Sequence, residues 1–228
     1  MKKVLLLFVC LCSMLSTFAT DNAYHYSIDI TKTPDRRLYV ELTAPLLTET
    51  KAVFSLPKMV PGTYSIYDFG RFVEDFKAFD RSGNPLAVNH IDTNSWEISN
   101  SNMLGKITYR VKDTYHGSKA DNPIFEPAGT DFQADTCYVL NLHTILGYFR
   151  NHTKLYYELN ITHQPNFYGS TSLVDKDNSD TKDQYIVPSY NEAVDNPIMY
   201  TAPDTAHIHI GESDILISVY SPGKKSDC

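Results

Sequence analysis

The chain has 228 residues, a formal net charge of −7 and 42% hydrophobic residues, enough for one large domain with a substantial core. The acidic balance, with no basic patch, argues against nucleic acid or an anionic membrane surface as partner. After the first twenty residues no stretch is apolar for long enough to span a bilayer.

Lys2 and Lys3 are followed by an apolar run over 4–12, and Thr17-Phe18-Ala19 then places small residues before a cleavage point. This is the pattern of a secretory signal peptide over 1–19, too short and wrongly flanked for a membrane anchor. Cleavage after Ala19 predicts a periplasmic or extracellular product. It removes Cys10 and Cys12, which are preceded by Val9 and Leu11 rather than by the small residue that lipidation needs. Cys137 and Cys228 remain. An exported location permits a bridge between them, but two cysteines make no disulfide framework. With Cys228 on a polar tail, 221–228, two free thiols are expected.

From residue 20 to 220 the dominant period is two. Tyr24, Tyr26, Ile28 and Ile30 alternate with His25, Ser27 and Asp29. Leu38, Val40 and Leu42 repeat the pattern, as do Ile107, Tyr109 and Val111, and Leu155, Tyr157, Leu159 and Ile161. Such alternation predicts strands with one face in a core and one in water. Further strands are expected at 52–56, 73–79, 95–98, 184–187, 206–210 and 215–220. Phe72, Val73, Phe76 and Phe79 are expected to supply core mass. Sixteen tyrosines and eleven phenylalanines suit pleated surfaces. Turn signals such as Ser82-Gly83-Asn84-Pro85 separate the runs. A short helix is expected within 144–149, and long loops at 116–135 and 175–183. The prediction is one all-β domain, an antiparallel β-sandwich.

Catalytic motifs are missing from the 228 residues. None of the eight histidines precedes a glutamate, so H-E-x-x-H is absent, and there is no G-x-S-x-G elbow, phosphate loop or dinucleotide fingerprint. No catalytic or metal-ligating residue is assigned. His207 and His209 share a strand face at a spacing that suits two metal ligands, but two histidines on a wet face have the same spacing. His143 and His152 read as loop or surface residues. Cys137 with His143 as nucleophile and base is neither supported nor excluded by sequence. Tyr64, Tyr67, Tyr115 and Tyr168 would serve a secreted peptide- or carbohydrate-binding module, if their rings are exposed together.

The most distinctive segment is 56–73, in which Leu56-Pro57 is followed by Pro61-Gly62-Thr63-Tyr64-Ser65-Ile66, Asp68-Phe69 and Arg71-Phe72-Val73. Pro61-Gly62 dictates a tight turn, because Pro fixes φ and Gly accepts positive φ. Asp68 and Arg71 are spaced to pair across it. This segment resembles the "LP…PGSY.I.DF.R.V" stretch of the glycyl aminopeptidase family of zinc metallopeptidases. Phe76-Lys77-Ala78-Phe79-Asp80, Asn94-Ser95-Trp96-Glu97-Ile98, Ile107-Thr108-Tyr109-Arg110-Val111 and Asp195-Asn196-Pro197-Ile198 match that family in the same order. The resemblance covers most of 23–218.

The resemblance implies the family's N-terminal β domain, a saddle-like sheet domain, without the zinc domain that carries H-E-x-x-H. It implies no cofactor in this chain, zinc belonging to the full-length proteins. It also implies a scaffold whose partner is a zinc peptidase domain or a second copy of the chain, with peptide substrate bound only in the full-length context. Related β domains lend polar groups to the pocket for the substrate's free amine. Glu192, Asp195 and Asn196, before Pro197 at the domain's closing edge, are the substrate-binding candidates, since carboxylates and amide carbonyls accept from an ammonium group. The alternative for Asp195 and Asn196 is a capped turn.

Overall fold

The computed structural model describes residues 22–115 and 123–221. The expected signal peptide over 1–19, Cys228 and most of the tail lie outside them. The first strands are β1 (Tyr24–Asp29), β2 (Arg37–Thr43), β3 (Lys51–Ser55), β4 (Val73–Asp80), β5 (Pro85–Leu86) and β6 (Val88–Asp92). Then come β7 (Ser95–Ser99), β8 (Leu104–Lys112), β9 (Asp131–Gln133), β10 (Cys137–Leu140) and helix α1 (Leu142–Ile145). The chain continues through β11 (Tyr148–Phe149), β12 (Tyr157–Thr162), β13 (Tyr168–Ser170), β14 (Lys182–Val187) and helix α2 (Tyr190–Val194). It closes with β15 (Ile198–Thr201), β16 (Asp204–Ile210) and β17 (Ser213–Val219).

A seven-stranded sheet in the order β14-β12-β1-β2-β8-β4-β5 forms one layer. Two four-stranded sheets, β11-β3-β7-β6 and β13-β15-β10-β9, contribute to the same core. The all-β sandwich read from the alternation is the observed architecture. Pairing is antiparallel except between β1 and β12, which run parallel with Tyr24 opposite Tyr157. No local signal encodes that pair, because its strands are separated by most of the chain.

The period of two explains which side chains are inside. Tyr24, Tyr26, Ile28, Leu38, Val40, Leu42, Ile107, Tyr109, Val111, Tyr157, Leu159 and Ile161 are all buried. Burying each removes enough apolar surface to contribute about 1.5–3 kcal/mol before entropy. The tyrosines do more than fill space. The Tyr24 hydroxyl accepts from the Phe149 N–H at 2.8 Å. The Tyr109 hydroxyl donates to the Ile145 carbonyl at 2.6 Å, and that of Tyr157 to the Gly147 carbonyl at 3.2 Å. Phenol groups from the large sheet thus satisfy the buried backbone between α1 and β11, as buried polar groups require.

Several expectations need correction. The helix covers Leu142–Ile145, beginning two residues before the expected 144–149, and Tyr148–Phe149 is a strand. Four residues are too few for a 3.6-residue period to show. The expected loop at 116–135 contains β9 where it is described, paired with β10 from Asp131 to Gln133. Phe79 is only half-buried, with the Lys106 ammonium 5.8 Å from its ring centroid. Asp68 accepts from the Asn94 side-chain amide at 2.7 Å, and the Arg71 guanidinium stands over the Phe72 ring at 4.8 Å.

β16 and β17 form a separate hairpin whose residues are nearly all exposed. Ala206 faces Ile217 and Ile208 faces Ile215, so one side of this ribbon is apolar. Ile208, Ile210, Ile215, Ile217 and Val219 on it are exposed.

Candidate functional site

The 56–73 segment folds back on itself. The Tyr67 and Asp68 N–H groups both donate to the Lys58 carbonyl at 2.8 Å. Gly62 has φ +86° and Tyr64 φ +54°, so the turn takes the left-handed region twice. Gly62 accepts this freely, whereas Tyr64 is a bulky residue in a costly conformation. Tyr64 is also 95% exposed, which leaves its strain without compensating burial. Backbone strain of this kind concentrates where a chain meets a ligand or partner. A side chain at Gly70 would collide with the Thr93 carbonyl and Asn94, which fixes the base of the loop. The Gly70 N–H donates to Asn94 Oδ1 at 2.9 Å.

The turn forms one wall of a cavity of about 320 Å³, through Val60, Pro61, Gly62 and Thr63. The other walls are Phe125, Pro127 and Ala128, then Asn141 and His143 around the start of α1, then Val194 at the end of α2 with Asp195 and Pro197 after it. Asn141 is buried and spends its donors on backbone: Nδ2 donates to the Gly129 carbonyl at 2.6 Å and the Pro127 carbonyl at 3.2 Å. His143 is also buried, with Nε2 donating to the Ala128 carbonyl at 3.0 Å. Burial lowers the His143 pKa to about 4, the Ala128 hydrogen bond opposing the shift, so the ring is neutral at pH 7. Neutral imidazole protonated on Nε2 leaves Nδ1 as an acceptor. Asn141 Oδ1 and His143 Nδ1 have no hydrogen-bond partner among the described residues. With the Asp195 carboxylate, the side chains lining this cavity therefore offer acceptors and little to donate. That arrangement suits an ammonium group.

Of the three candidates read from sequence, Asp195 lines the cavity. Glu192 is exposed in the first turn of α2, where its N–H is capped by Ser189 Oγ at 3.2 Å. Asn196 donates from Nδ2 to the Glu192 carbonyl at 2.6 Å and accepts from the Ser172 hydroxyl. Neither Glu192 nor Asn196 lines the cavity. Asn141 and His143 were not read as binding residues. His143 was expected at the surface, and its burial against Phe69, with ring centroids 4.5 Å apart, comes from long-range packing.

The other constellations have structural roles. Burial, with Asp131 nearby, pushes the Cys137 thiol up to about 11, which leaves it protonated and unreactive. The Cys137/His143 pair thus lacks an activated thiol, and His143 spends Nε2 on the Ala128 carbonyl. His207 and His209 are exposed, and His209 Nδ1 lies 3.4 Å from Asp214. Among the described residues no three His, Cys, Asp or Glu side chains gather to hold a metal. Tyr67 is buried against Phe69, which removes it from any aromatic binding patch. Tyr64, Tyr115 and Tyr168 are exposed on three separate segments.

The model of the peptidase M61 N-terminal domain matches residues 25–202. The chain belongs to that family. Its fold is similar to that of an aminopeptidase N family protein from Idiomarina loihiensis, with TM-score 0.73 and 18% identity over 86% of this chain. The chain spans 32% of that protein's length. An M1 zinc metallopeptidase from Deinococcus radiodurans aligns over 86% of this chain and 45% of its own, with TM-score 0.45 and 10% identity. No curated protein matches the chain. Among the described residues no helix is long and apolar enough to cross a membrane.

Proposed function

We propose that this chain is the non-catalytic β domain of an exported zinc aminopeptidase system, a scaffold that packs on a zinc peptidase domain and helps hold the substrate's free amine. The observation that carries this reading is the cavity beside the Pro61-Gly62 turn, which Asn141, His143 and Asp195 line. A substrate N-terminus donates three hydrogen bonds and carries a positive charge, which matches an acceptor set containing one carboxylate. Membership of the M61 family supports the same assignment.

In this reading chemistry resides elsewhere. Zinc, in the partner domain, would activate the attacking water. This chain's residues would only orient the peptide, Asp195 supplying charge and Asn141 direction. Exposed Tyr64 and Phe125 beside the cavity, and the apolar face of the hairpin, are the surfaces the zinc domain would cover. Export rests on the signal segment 1–19.

The test is to add the chain to an M61-type zinc domain prepared without its own β domain. The expected result is glycyl-substrate hydrolysis that depends on this chain, with a raised KM in Asp195→Asn. Absence of association between the two polypeptides, or a KM indifferent to Asp195, would contradict the reading.

A further inference from the structure

The outer face of the seven-stranded sheet carries a second hollow, of about 760 Å³, away from the amine cavity. The same alternation that buries the tyrosines of β1 and β12 turns Ser27, Asn160 and Thr162 outward. Ser27 lies opposite Asn160, and Tyr39 opposite Arg110. Across β14, β12, β1, β2 and β8 this grid is about 19 Å wide at the usual strand spacing.

Its charges are already paired. Asp29 holds Lys32 at 2.8 Å, Glu74 holds Arg37 at 2.7 Å and Glu41 holds Lys106 at 3.3 Å. Arg110 is 3.7 Å from Asp75. Two lining charges remain, Lys182 and Asp177, of opposite sign. The face is therefore electrically balanced, which disfavours a charged ligand.

Its unspent groups are hydroxyls and a ring. The hydroxyls of Ser27, Tyr39 and Thr162 have no partner among the described residues, and each both donates and accepts. Tyr39 is 47% exposed, a flat apolar surface with a polar tip amid these groups. Hydroxyl groups on a ligand likewise donate and accept, and the C–H faces of a sugar ring stack on an aromatic plane. An extended peptide is a poorer match: its backbone pairs with a free strand edge, and β1, β2, β8 and β12 are all interior strands.

We propose that this face binds a neutral glycan, with Tyr39 as the stacking platform and the hydroxyls of Ser27 and Thr162 as hydrogen-bonding partners. The site is independent of the amine cavity, and neither stands on the other.

The experiment is NMR titration of the full chain with neutral oligosaccharides of glucose, mannose and galactose, and with an uncharged extended peptide. The expected result is saturable shifts at Tyr39, Ser27 and Asn160 with at least one sugar, weakened about tenfold in Tyr39→Ala. Tyr168→Ala, on another sheet, should leave the affinity unchanged. No binding by any sugar, binding indifferent to Tyr39, or shifts at this face with the peptide alone would each overturn the proposal. Circular dichroism of Tyr39→Ala separates lost binding from lost fold.

Discussion

Tyr26 and Gly147 hold each other twice. The Tyr26 hydroxyl donates to the Gly147 carbonyl at 2.9 Å and accepts from the Gly147 N–H at 3.0 Å. A side chain at Gly147 would strike the Phe54 ring, so glycine is required where this backbone passes through the core. Tyr157 also serves the carbonyl, but among the described residues the N–H has Tyr26 alone. Tyr26→Phe strands that buried donor and should lower stability by about 1–3 kcal/mol. Urea unfolding measures this; a loss near zero would mean that the contact is not structural.

His143 sets a pH dependence. Its folded pKa, about 4, lies below the ordinary value of 6.5 because burial opposes charging. The unfolded chain therefore binds more protons between these values, and stability falls as pH drops from 6.5 through 4. The lost contribution is of order 3 kcal/mol at most, by the usual conversion of a pKa difference. His143→Gln should flatten that part of the profile relative to the parent chain. Parallel profiles for the two proteins would contradict the assignment.

Asp195 is exposed, so its role in amine binding should be electrostatic and modest. Asp195→Asn is expected to weaken binding of a primary amine about threefold, with no change in melting temperature. The difference should shrink as salt is added. Calorimetry at low and high ionic strength reads both effects, and a salt-independent loss would point to packing instead.

The hairpin of β16 and β17 should make the isolated chain associate. Its row of Ile208, Ile210, Ile215, Ile217 and Val219 is an apolar surface of the kind that seeks a partner. Sedimentation velocity should show concentration-dependent association, abolished in the double variant Ile208→Lys, Ile217→Lys. A parent chain that remains monomeric at high concentration would count against this.

The fold was legible where one face of a strand is wet, as in 24–30, 38–42 and 107–111, because alternation then reports burial directly. It was illegible where long-range pairing decides. The parallel partnership of β1 with β12 and the short strand β9 leave no local trace. Of the residues lining the cavity, Asp195 was named as a candidate through the family resemblance and its place before Pro197. Asn141 and His143 were not, since their roles come from carbonyls of the 127–129 segment reaching across from another part of the chain. Glu192 and Asn196 share Asp195's turn, but helix geometry and capping direct them elsewhere.

In the proposed reading the Asn141–His143–Asp195 cavity recognises a free amine. The most direct measurement is NMR titration of the full chain with glycinamide, using N-acetylglycinamide as comparator. Saturable shifts at Asn141 and His143 are expected with the free amine only, lost in Asn141→Ala. Equal shifts with the acetylated compound, or none with either, would contradict it.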